Sequence, residues 1–107
     1  AQDREAIGER VKTAAYSIIE KKGATFYGIA ASLTRLTAAI LNDERAAFAM
    51  SVHLDGEYGL SGVSIGVPVI LGGDGLARIL QLELNPEDQK RLADSAQVLK
   101  ENLAAVL

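Results

Sequence analysis

Two runs of strict alternation do most to restrict the folds open to this chain. In the first, Phe48, Met50, Val52 and Leu54 alternate with Ala47, Ala49, Ser51 and His53. In the second, Val63, Ile65, Val67 and Val69 alternate with Ser64, Gly66 and Pro68. A period of two puts every second side chain on one face, so each run predicts a strand with one buried side. The link between them, DGEYGLSG, is turn-rich and too short for a parallel crossover, which leaves an antiparallel pair. GGDG at 72–75 turns the chain again into a third strand, where Leu80, Leu82 and Leu84 alternate with Gln81 and Glu83. Pro68 has no backbone donor and is expected at an edge or an irregularity.

Helical periodicity brackets this meander. Ile7, Val11, Ala14, Ala15, Ile18 and Ile19 recur at three- and four-residue spacing and predict a helix from Asp3 to Lys22. Asp3 can cap its start, Lys21 and Lys22 suit its negative end, and Gly23 ends it. Ile29, Leu33, Leu36 and Ile40 predict a second helix from about Thr25 to Leu41, with Thr25 positioned as its cap and Asn42-Asp43 as its end. Asn85-Pro86-Glu87-Asp88 opens a last helix with a cap, a proline at the first position and two acids. Leu92, Ala96, Leu99, Leu103 and Val106 form its apolar stripe. The expected class is α+β: two helices, a three-stranded antiparallel meander and a C-terminal helix.

Composition narrows the function. With 107 residues, one hydrophobic core is plausible and two are not. The net charge of −3 and scattered basic residues give no footprint for nucleic acid. No cysteine is present, so there is no disulfide framework or thiolate metal site, in keeping with a cytosolic setting. No apolar run approaches the roughly 18 residues of a membrane span. The chain opens in helix-like sequence, AQDREAIGER, without the regions of a signal peptide, which suggests a portion of a longer protein.

Most candidate sites reduce to structure. His53 is the only histidine, yet it shares a strand face with Ala and Ser, and no nucleophile motif accompanies it. Asp55 and Glu57 lack the spacing of a calcium loop. LGGDG lacks the Lys-Ser/Thr of a phosphate loop and joins two strands. KGATFYGI, residues 22–29, keeps two readings. It is a helix–helix corner capped by Thr25, or it is a surface on which one hydroxyl and small neighbours form part of a pocket. No nucleophile, acid–base pair or metal set lies among these residues, so catalytic and metal ligands are expected to be absent from the chain.

Taken in order, VKTAAYSIIEKKGATFYGIAASLTRLTAAIL, SVHLDGEYGL, VSIGVPVILGGDGL and LNPEDQKRLADSAQVLKENL resemble the C-terminal half of a bacterial L-lactate dehydrogenase of the lactate/malate dehydrogenase family. Malate-type relatives usually have Gly-Ser-Ala where this chain has Gly23-Ala24-Thr25, and the KGAT form favours lactate; the same portion of a malate or other 2-hydroxyacid dehydrogenase, and a non-catalytic association domain, are the alternatives. The resemblance implies a substrate-domain portion over residues 1–107 and an upstream N-terminal Rossmann portion. It implies NAD as cofactor, with a hydride passing between nicotinamide and C2 of pyruvate or lactate. It also implies a homo-oligomer, a tetramer in the family, working in cytoplasmic pyruvate fermentation. The proton-handling His–Asp pair and the carboxylate-gripping Arg fall upstream in the family. Thr25 and Ala15 match substrate-pocket positions, and Ile29 matches a position packed on the nicotinamide ring. His53 departs from a common aromatic, and Ala49 from a common Pro.

Overall fold

The computed structural model describes residues 2–107. The element order is α1 (Gln2–Lys22), α2 (Tyr27–Leu41), β1 (Ala46–Asp55), a 3₁₀ turn (Glu57–Gly59), β2 (Ser61–Gly72), β3 (Gly75–Ile79) and α3 (Pro86–Val106). The expected α+β order is therefore observed. Two compact units divide the chain, one ending at Thr37 and the other spanning Ala38–Leu107.

The second unit holds the core. Its sheet has the order β1-β2-β3, antiparallel throughout. Along β2, Val63, Ile65, Val67, Val69 and Leu71 are buried while Ser64 and Gly66 are exposed, as the alternation requires. Leu54 and Val69 are fully buried, and Ala96 of α3 joins their cluster with Leu92 packed beside it. Each fully buried Val or Leu contributes about 1.5–3 kcal/mol relative to exposure. Asn85 caps α3, its side chain accepting from the Asp88 amide at 2.8 Å. Only the first half of the α3 stripe is covered: Leu99, Leu103 and Val106 are exposed.

The third strand lies earlier than its leucine alternation predicts. It ends at Ile79, and residues 80–85 are irregular. Pro68 explains the shift. It sits in the central strand, and Val69 pairs with Ile79, so Leu80 faces it. The Leu80 amide donates to the Pro68 carbonyl at 2.9 Å. The reciprocal bond needs a proline N–H that does not exist. The Leu80 carbonyl instead accepts from the Tyr58 hydroxyl at 2.5 Å, and that hydroxyl accepts from the Leu82 amide at 3.0 Å. One side chain thus satisfies both backbone groups where the ladder stops.

Tyr58 reaches this position through a tight turn. Gly56 has φ 111°, and Tyr58 itself takes a left-handed φ of 56°. The Asp55 amide donates to the Glu57 carboxylate at 2.7 Å. That bond, then the Glu57 amide, hold this carboxyl below its ordinary value, and His53 adds a smaller pull in the same direction. At the other end of the sheet, Asp43 accepts from the Gly73 amide at 2.7 Å. A Cβ on Gly72 would meet the Asp43 carboxylate at 2.9 Å, so a side chain there would have to displace that carboxylate from the Gly73 amide.

The first unit carries α1 and most of α2. Gly23 closes α1 with φ 77°, its amide bonded to the Ile19 carbonyl at 2.7 Å, as expected of a C-terminal glycine. Asp3 lies inside the first turn of α1 and does not cap it. α2 begins two residues later than expected, at Tyr27, where the Phe26 carbonyl accepts from Ala30.

Two outcomes follow from the turn. Tyr58→Phe keeps the ring but orphans the Leu80 carbonyl and the Leu82 amide, and it should cost about 1–2 kcal/mol in urea unfolding. Because the Glu57 carboxyl has a depressed value in the folded state, its stabilisation is fully present above about pH 5. It is lost as pH falls through 4.5 to the folded-state value. A Glu57→Gln variant should therefore differ from the parent at neutral pH and converge with it in acid, read as the unfolding midpoint against pH.

Candidate functional site

A mainly apolar cleft with a volume of about 590 Å³ lies at the α1–α2 corner. Val11, Ala14, Ala15 and Ile18 supply the α1 side, and the segment Ala24–Ile29 supplies the other. The small side chains of Ala14, Ala15, Ala24 and Gly28 leave the space. Ala15, Thr25 and Ile29, the three residues singled out in the sequence, all line this one cleft.

Thr25 is not the helix cap. It precedes the Phe26 carbonyl that opens α2, and its hydroxyl makes no hydrogen bond among the described residues. Both its donor and its acceptor face no internal demand. Of the two readings of KGATFYGI, the capped corner is therefore incorrect in its central detail. Ile29 is 63% exposed and presents an uncharged branched surface. Lys22 lines the same cleft, with its Nζ 5.0 Å from the centroid of the Tyr27 ring. Sequence reasoning assigned Lys22 only to the helix end and missed this pairing, since nothing in the spacing of 22 and 27 across Gly23 announces it.

The remaining candidates stay structural. His53 lies on the exposed face of β1. No group of three or more His, Cys, Asp or Glu residues could hold a metal among the described residues. No described helix is long and apolar enough to cross a membrane. A second groove of about 330 Å³ in the sheet unit is lined mainly by apolar residues such as Val67, Pro68, Leu82 and Leu84. Its Arg91 is already bound to Glu87 at 2.6 Å.

A helix pair leading into an antiparallel meander and a capped last helix, with small residues at the helix corner, defines an α+β domain. The chain belongs to the lactate/malate dehydrogenase family, matching its alpha/beta C-terminal domain over residues 1–107. It is 47% identical over 106 residues to L-lactate dehydrogenase 2 of Bacillus anthracis, covering 99% of this chain and 34% of that protein. The minor L-lactate dehydrogenase of Enterococcus mundtii, solved in a ligands-bound form, superposes with a TM-score of 0.92 at 40% identity, over 99% of this chain and 34% of that one. The malate dehydrogenase of Archaeoglobus fulgidus, solved in complex with NADH, gives 0.88 at 35% identity, over 94% and 34%. The chain thus spans about a third of the length of the relatives it matches.

The first unit buries none of its large apolar side chains, and Tyr27 is 76% exposed. Uncovered apolar surface on this scale drives association. A polypeptide of these 107 residues should self-associate as concentration rises. Sedimentation velocity would show it, and a single monomer boundary at high concentration would contradict it.

Proposed function

We propose that this chain is the C-terminal portion of an NAD-dependent L-lactate dehydrogenase that interconverts pyruvate and L-lactate. The observation that carries the reading is the KGAT corner itself. It leaves the Thr25 hydroxyl uncommitted at a cleft of small residues, in a chain nearly half identical to L-lactate dehydrogenases. In this reading Ala15 and Thr25 form the wall against the 2-oxo acid, and Ile29 packs against the nicotinamide.

The residues present fit part of that cofactor. An exposed aliphatic side chain suits a flat aromatic ring. The glycine-rich β2–β3 hairpin offers a pyrophosphate no cradle: the Gly73 amide already binds the Asp43 carboxylate, whose charge would repel it. The phosphates, the proton-transferring pair and the carboxylate-gripping Arg are therefore assigned to the remainder of the protein, an N-terminal Rossmann portion. NAD supplies the hydride acceptor or donor when bound. This chain's residues shape the pocket, exclude water and contribute contacts to a homo-oligomer in the cytoplasm.

A malate or other 2-hydroxyacid dehydrogenase is the second reading, favoured by the close superposition on the Archaeoglobus enzyme. The KGAT sequence and the Bacillus relatives favour lactate over it.

Two measurements test the assignment. The 107-residue polypeptide alone should show no NADH-dependent pyruvate turnover above buffer. Removing one acid–base group typically costs about 10²–10⁴-fold, and here several groups lie elsewhere. In the complete enzyme, Thr25→Gly removes a methyl and a hydroxyl. It should shift kcat/KM toward a branched 2-oxo acid over pyruvate by about tenfold or more, since one methylene in a pocket is worth about 1–3 kcal/mol. An unchanged ratio would remove Thr25 from the pocket.

A further inference from the structure

Eleven residues line the corner cleft, and Lys22 is the only charged one. Its ammonium forms no ion pair with a carboxylate among the described residues. The Tyr27 ring face lies 5.0 Å from it. A lysine serving only the negative end of α1 needs no such partner, and its neighbour Lys21 occupies the same last turn without lining the cleft. A ring face attracts a cation through its quadrupole and leaves the charge uncompensated. The ammonium therefore sits at the cleft with no carboxylate to cancel its charge. An anion entering the cleft meets that field, whereas a carboxylate partner would have cancelled it.

We propose that Lys22, held over Tyr27, is a positioning charge that favours entry of the anionic 2-oxo acid into the cleft. The inference rests on the substrate reading above and adds a residue to it. Lys22 is not assigned a bond to the reacting atoms. It acts through the potential at the mouth, so its effect must depend on ionic strength.

The test uses the complete dehydrogenase that carries this chain, with kcat/KM for pyruvate and KM for NADH measured separately. A unit charge several ångströms from a carboxylate across water should change kcat/KM by about two- to fivefold. Measurements at about 0.01 M and about 1 M salt span Debye lengths from roughly 30 to 3 Å. The expected result is that Lys22→Gln lowers kcat/KM for pyruvate at low salt and matches the parent at high salt. Lys22→Arg should retain the parent behaviour, and Lys21→Gln should have the smaller effect. Equal losses in the Lys21 and Lys22 variants would mean a general charge effect and would overturn the proposal. So would a loss confined to KM for NADH, or a loss that persists at high salt. A parent enzyme that turns over pyruvate normally beside an unaffected Lys22→Gln variant would overturn this inference and leave the substrate reading standing. A parent inactive on every 2-oxo acid would overturn both.

Discussion

The missing amide hydrogen of Pro68 organises the sheet unit. A proline in a central strand removes one ladder bond, and the neighbour strand can no longer follow. β3 stops at Ile79, and the chain leaves the sheet there. That departure carries it through residues 80–85 to the Asn85 cap, and so sets where α3 starts. Tyr58 makes the departure tolerable. Its hydroxyl satisfies the two backbone groups stranded at the break, and its own carbonyl accepts from the Gln89 side chain at 2.8 Å. One residue in a strained turn thus ties β2, the irregular segment and α3 together. Leaving either group unpaired would cost about 1–3 kcal/mol if it were buried, which is why an aromatic with a hydroxyl is needed at 58.

Much of this was legible in the sequence, and what was not has a common cause. The alternations in β1 and β2 were readable because one sheet face is buried and the other exposed, so the period of two survives. The Asn85-Pro86 start of α3 was readable because its chemistry is local. The end of β3 was not. Leu80, Leu82 and Leu84 alternate as a strand would, and the fact that Pro68 faces Leu80 depends on a register set by the hairpin and by the shift between Ile70 and Leu71. The role of Tyr58 was hidden for the same reason, since its partners lie 22 and 24 residues away. Local patterns report local causes; a missing donor acts across strands.

The corner shows the same division. Gly23 announced the end of α1, because a positive φ after a helix is a glycine position. The start of α2 misled, because Thr25 has the chemistry of a cap but sits before the residue that opens the helix. Composition alone could not separate a hydroxyl used by the backbone from one left over. The geometry separates them: the Thr25 hydroxyl has no hydrogen-bond partner among the described residues.

That surplus bounds what this chain can do for the substrate proposed above. A 2-oxo acid brings a carboxylate, a carbonyl and a side chain, and reduction adds a proton demand at the carbonyl oxygen. Against these the cleft offers the hydroxyls of Thr25 and Tyr27, one ammonium and otherwise mainly apolar surface. On the proposed reading it shapes the side-chain end of a pocket and biases the approach of an anion. It cannot grip a carboxylate in two places, which takes a planar guanidinium or its equivalent, nor hold a proton near neutral pH, which takes a tuned acid. The chain's one histidine, on the exposed face of β1, lies outside the cleft lining. A wall that is mainly apolar, small and nearly uncharged is useful chemically only when a second, polar wall closes against it. On the proposed reading, the exposed apolar surface of the first unit is what such a closure covers.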